Sequence, residues 1–227
     1  MAENRKLMRY AAYRLHNFLP RGTPELAKQE FIDYFENDLP VEVHTYSTVG
    51  LKANTQMLLW ILADEPRDLQ EFEVGLNKTS LGRQMFCSHS FLAMTKPSQY
   101  LGGHKHEGQE GADRPAGPVG GSYLFVYPMV KKREWYSLSF EERRKMMGAH
   151  FKVGHKYPGI TIHTGYSFGI DDQEFVVAFE GESVGEFLDL VQELRESAAS
   201  RYTERETPIF TAVRAPLKEI LDQIVLG

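Results

Sequence analysis

The chain has 227 residues, 42% of them hydrophobic and 25% charged, an ordinary balance for a globular protein. Its formal net charge of -5, from 31 acidic and 26 basic residues, lacks the basic footprint of a nucleic-acid binder. A single cysteine, Cys87, excludes an internal disulfide framework, and no apolar run approaches the roughly 18 residues that a membrane span needs. Met1 to Leu7 is polar and carries no apolar signal core, so the expectation is a soluble, cytoplasmic chain.

Taken in chain order, Met8 to His16 reads as a strand. Pro24 to Glu36 reads as a helix, with Thr23 as its cap and Pro24 at its first position. Two strands follow. Val43 to Ser47 leads through Gly50-Leu51 to the apolar run Met57 to Leu62. A helix over Leu69 to Leu81 and a strand over Arg83 to Met94 complete the first half. Lys96 to Gly121 is dense in glycine and proline and reads as a long connecting loop. It holds His104 and His106, whose spacing is weak for metal, and Glu107, Glu110 and Asp113, which form no metal pattern.

The second half repeats the first. Ser122 to Met129 opens it as a strand, and Ser139 to Lys156 is a helix. Ile162 to Ser167 leads through Gly169-Ile170 and Asp171-Asp172 to the run Phe175 to Phe179. A helix over Val184 to Arg201 and a strand over Pro208 to Val213 close it. Each half therefore reads β-α-β-β-α-β, a ferredoxin-like unit with one sheet face to cover. The expected fold is α+β, two fused ferredoxin-like halves forming a dimeric α+β barrel. The halves are residues 1–95 and 122–227, joined by the loop 96–121. Two independent domains of coincidental similarity are the alternative.

Ser139 followed by Glu142 is a capping box. From that start, His150 shares a helical face with Met146, Met147 and Val153. The face is apolar, so His150 points inward, as a packed core residue or as the neutral imidazole that a haem iron takes. Thirteen positions later, His163 alternates with Thr161 and Gly165 on one strand face. It is a candidate acid or base facing the barrel interior, or a strand histidine bonded to a neighbour, and His44 holds the equivalent place in the first half. Tyr123, Phe125, Tyr127 and Met129 align on one face of the opening strand. Lys131-Lys132-Arg133 directly after it is a solvated patch or a carboxylate-binding mouth. No phosphate-binding glycine loop and no paired cysteines for zinc are present.

The stretch Tyr127-Pro128-Met129-Val130-Lys131-Lys132-Arg133, then Trp135-Tyr136, then Glu141-Glu142-Arg143 to His150 resembles the haem-binding core of the chlorite dismutase-like proteins. Tyr157-Pro158, Phe168 to Asp172 with Phe175, Leu194-Arg195, Arg201-Tyr202 and Pro208-Ile209-Phe210 continue the resemblance, which is best over residues 121–213. It implies haem b or its precursor coproheme in the C-terminal half and assembly as a homopentamer. It implies His150 as the axial ligand of the iron, with Met129, Lys131, Trp135 and Met147 around the porphyrin.

Two branches of that family differ in chemistry. Chlorite dismutases carry a distal arginine thirteen positions after the axial histidine; here that position is His163, or Ile162 if the alignment shifts by one. They support the axial histidine with a glutamate, for which Glu196 is the candidate. Coproheme decarboxylases remove two propionate carboxylates with hydrogen peroxide, using a tyrosine in a Tyr-Pro-Met segment and a lysine four residues later. Tyr127 and Lys131 stand there. The resemblance thus implies an oxidoreductase of porphyrin biosynthesis with Tyr127, Lys131 and His163 as catalytic residues. Chlorite or peroxide turnover on haem b is the enzymatic alternative, and haem binding or transfer the non-enzymatic one.

Overall fold

The structure is a computed structural model and describes residues 5–16, 24–100 and 116–225. Thr23, His104, His106, Glu107, Glu110 and Asp113 lie outside the described residues. In the first half the elements are β1 (Leu7–Leu15), α1 (Pro24–Glu36), β2 (Glu42–Ser47), β3 (Met57–Ala63), α2 (Pro66–Leu76) and β4 (Met85–Thr95). The second half has β5 (Tyr123–Lys131), α3 (Arg133–Ser137), α4 (Phe140–Gly154), β6 (Thr161–Tyr166), β7 (Phe175–Gly181), α5 (Val184–Glu196) and β8 (Thr203–Arg205). The chain ends with β9 (Phe210–Arg214) and α6 (Leu217–Ile224). None of the described helices is long and apolar enough to cross a membrane.

The chain divides into two compact units, residues 1–94 with 210–227, and residues 95–209. In the first unit β1 lies between β4 and β3, and β2 pairs with β3, all antiparallel. This is the ferredoxin-like order 4-1-3-2. In the second, β7 lies between β6 and β5, and β8 pairs with the far edge of β5. Counted within the unit, that is the same order. The fold is therefore α+β and duplicated. Gly50 and Gly169 occupy the matching turns of the two halves with the same φ of +75°, a conformation that a Cβ disfavours.

The closing strand departs from the sequence reading. β9 belongs to the first unit, where Tyr46 pairs with Arg214 and Ser47 with Val213. The fourth strand of the second sheet is instead β8, three residues that pair with Val130 and Lys131. α6 follows β9 and buries Ile220, Leu221 and Ile224 in the first core beside Phe31, Leu59 and Phe72.

Two helix boundaries also moved, for local reasons. α2 begins at Pro66 rather than Leu69, because Glu65 and Asp68 form a capping box and Pro66 suits the first turn. α5 ends at Glu196 because Ser197 is extended, and a short 3-10 turn, Ala198–Tyr202, carries the chain on to β8. The expected capping box of α4 is present, with Ser139 accepting from the Glu142 amide.

Candidate active site

The second unit packs α4 and α5 on one face of its sheet, and a cavity opens there with an empty volume of ≈ 1240 Å³ counted out to solvent. Strand alternation decides which side chains reach it. Tyr127, Met129 and Lys131 come from β5, Ile162, Thr164 and Tyr166 from β6, and Phe175, Val177 and Phe179 from β7. The register puts these residues in rows, with Tyr127 opposite Val177 and Val177 opposite Thr164. α4 supplies Met147, His150 and Phe151, and α5 supplies Val191, Leu194 and Arg195. Trp135 of α3 and Tyr100 complete the apolar wall.

His150 faces this cavity with its Nδ1 buried and without a hydrogen-bond partner. Burial, and then the nearby charge of Lys131, pull its pKa down to about 4. The imidazole is therefore neutral at neutral pH, with a lone pair to offer.

Lys131 is buried although it begins a basic run. Its Nζ donates to Thr203 Oγ1 at 3.0 Å and to the Ala199 carbonyl at 3.3 Å, and stands 5.2 Å from the centre of the Trp135 ring. Burial lowers its pKa to about 8, against the opposing pull of Glu206 and Glu174. Lys132 and Arg133 point to solvent. Tyr127 is buried beside Phe179, with ring centroids 5.9 Å apart, and burial pushes its phenol pKa up, so it keeps its proton.

His163 is a correction. It lies on the opposite face of β6 from the cavity, because Ile162 and Thr164 are in phase with the helix-covered face and His163 is not. It is buried and bonded to Glu180, with Nε2 2.9 Å from Oε2. Glu180 also accepts from the amides of Val119, Gly120 and Gly121 at 2.7, 3.3 and 3.2 Å. The pair ties the segment entering β5 to the sheet and is not in the cavity wall.

Glu196 is the second correction. It is exposed and off the wall, whereas Glu206, just past β8, lines the cavity and forms an ion pair with Arg195. The sequence carries no periodic signal for this pair, since the turn Ala198–Tyr202 and β8 intervene. Tyr100 also lines the cavity, although its segment reads as a linker. Its ring stacks on Phe140 at 5.8 Å and meets the Trp135 ring at 6.4 Å. The structure thus gathers Tyr127, Met129, Lys131, Trp135, Met147 and His150 on one cavity.

A family model described as chlorite dismutase matches residues 25–215. The chain belongs to the chlorite dismutase family. A curated relative within reach of this chlorite dismutase-family chain is the coproheme decarboxylase of Mycolicibacterium smegmatis, strain mc(2)155, 31% identical over 180 residues, which are 79% of this chain and 75% of that protein. The chlorite dismutase of Candidatus Nitrospira defluvii in complex with imidazole superposes with a TM-score of 0.86 at 23% identity, over all of this chain and 97% of the other. A variant of the same enzyme gives a TM-score of 0.88 at 22% identity, again over 100% and 97% of the two chains. At that identity the structures share the fold with this member of the family.

Proposed function

We propose that the chain binds an iron porphyrin through His150 and is a coproheme decarboxylase, converting coproheme III to haem b with hydrogen peroxide. One observation carries the reading. A neutral, half-buried imidazole, whose buried Nδ1 has no hydrogen-bond partner, faces a cavity walled by apolar side chains, with Tyr127 and Lys131 in the same wall. Those residues fit the group. Haem iron takes a neutral proximal imidazole, and a flat macrocycle takes apolar faces. The curated relative named coproheme decarboxylase supports the same reading.

When bound, the iron porphyrin supplies the oxidising chemistry with peroxide, and the chain binds, orients and moves protons. His150 holds the iron. Met129, Trp135 and Met147 exclude water from the macrocycle. Tyr127 is a redox-capable side chain of the wall on the same strand as Lys131, and its phenol stays protonated at rest because of burial. Lys131, with a pKa of about 8, is poised to exchange a proton with a propionate carboxylate or to hold it as an ion pair. The chlorite reading is weaker, since β6 presents Ile162, Thr164 and Tyr166 to the cavity and no arginine.

The test is titration with iron coproporphyrin III, followed by peroxide, with spectra and carbon dioxide release recorded. Stoichiometric binding and conversion to haem b are expected. Binding without conversion, together with rapid oxygen release from chlorite, would favour chlorite chemistry. Binding with neither would leave a haem-binding or transfer protein, and no binding would remove the role given to His150.

A further inference from the structure

The reach of Lys131 and Trp135 into the cavity depends on the turn between β5 and α3. One carboxylate outside the cavity wall bridges that turn. Glu174 Oε2 accepts from the backbone amide of Lys131 at 2.8 Å and from the Tyr136 hydroxyl at 2.6 Å. Its other oxygen, Oε1, is 3.8 Å from the exposed guanidinium of Arg133. Its own backbone is fixed as well, because the Glu174 amide donates to the Met129 carbonyl at 3.3 Å and its carbonyl accepts from Ser167 at 2.8 Å. One side chain therefore spans the last residue of β5 and the last turn of α3.

The spacing explains the consequence. Lys131 and Trp135 lie between and beside the two anchored points, Lys131 N and Tyr136 Oη, and both side chains line the cavity. The Lys131 ammonium sits over the Trp135 ring, so the two side chains are in contact within the wall. A neutral hydrogen bond here contributes about 1 kcal/mol and one to a carboxylate more, while a buried amide left without an acceptor costs about 1–3 kcal/mol. Loss of the acceptor thus favours a rearranged turn over an intact turn with an orphaned amide.

We propose that Glu174 is a positioning residue of this site, holding the β5–α3 turn so that Lys131 and Trp135 stand in the cavity wall. It touches neither the cavity nor any reacting group and acts through Lys131 and Tyr136. The inference rests on the proposed site, but its test uses the full chain without porphyrin, so its failure and the failure of the functional reading are separate results.

The experiment measures acylation of Lys131 by a small anhydride, which transfers one acyl group to Nζ and releases its carboxylate, read by mass spectrometry at pH 8, together with the fluorescence of Trp135 in a Trp60→Phe background. Glu174→Ala is expected to label Lys131 about tenfold faster, as a gain of about 1.4 kcal/mol in opening implies, and to shift the Trp135 emission. Glu174→Gln keeps one carbonyl oxygen able to accept both bonds and is expected to restore both readouts nearly to those of the wild type, which a mere change of charge would not do. Tyr136→Phe removes one arm only and is expected to fall between. Wild-type labelling and emission in Glu174→Ala would overturn the proposal. If that variant does not fold, Tyr136→Phe decides, and wild-type behaviour there overturns it equally.

Discussion

His163 and Glu180 form a buried pair, Nε2 to Oε2 at 2.9 Å, on the face of the second sheet turned away from the cavity. The pair is structural, so His163→Gln, which still donates to Glu180, should leave peroxide-driven conversion within about twofold of wild type. His163→Ala should lower stability by roughly 1–3 kcal/mol, the cost of a buried carboxylate that loses a donor. Chemical denaturation and single-turnover rates measure the two effects. A hundredfold loss of rate at unchanged stability would return His163 to the chemistry.

Glu180 also sets an acid limit. Burial raises its pKa, but the bond from His163 and the amides of Val119 and Gly120 outweigh it, and the net shift is below the ordinary value of 4.5. A carboxyl depressed in the fold contributes stability above its unfolded pKa and loses that contribution as pH falls through the folded pKa. Glu180→Gln should therefore be less stable than wild type at pH 7, and the gap should close below pH 4.5. Urea midpoints across that range test it, and a gap independent of pH would contradict it.

His150 has an acid signature of the same sign, at higher pH. Its pKa falls from 6.5 to about 4 in the fold, so the unfolded chain takes the proton first. The unloaded protein should lose stability from this group as pH drops from 6.5 to about 4. His150→Ala should remove that slope and weaken iron porphyrin binding by at least about a hundredfold, comparable to the loss of a metal ligand's support or more. Added imidazole should restore the spectrum of the bound iron. Unchanged binding by His150→Ala would show that another group holds the porphyrin.

Tyr127→Phe keeps the ring packed on Phe179 and removes only the hydroxyl. Porphyrin affinity should stay within about threefold, because the ring supplies the buried surface. Conversion should fall by at least about a hundredfold. Conversion at the wild-type rate would show that the tyrosine is only wall.

Lys131 should give the rate an alkaline limb. Its pKa is about 8, so the ammonium is lost as pH rises through that value. Conversion should decline above pH 8, and Lys131→Gln should be slow and lack the limb. A pH–rate profile of the two proteins decides it, and an identical limb in Lys131→Gln would assign the titration elsewhere.

The sequence by itself determined the duplicated halves, the capped helix that carries His150 and the strand that carries Tyr127. These are local properties: alternation, helical phase and a capping box are legible within one element. The resemblance also implied Lys131, Met129, Trp135 and Met147 around His150, and these residues line one cavity. Only the tertiary structure decided that His163 faces away, because alternation separates two faces without saying which of them the helices cover. It likewise put Glu206, not Glu196, in the wall, and returned β9 to the first unit, since both depend on where the chain goes after α5. The anchoring of Lys131 and Tyr136 by Glu174 is of the same kind. It joins residues 43 and 38 apart in sequence, a relation that no periodicity within one element records.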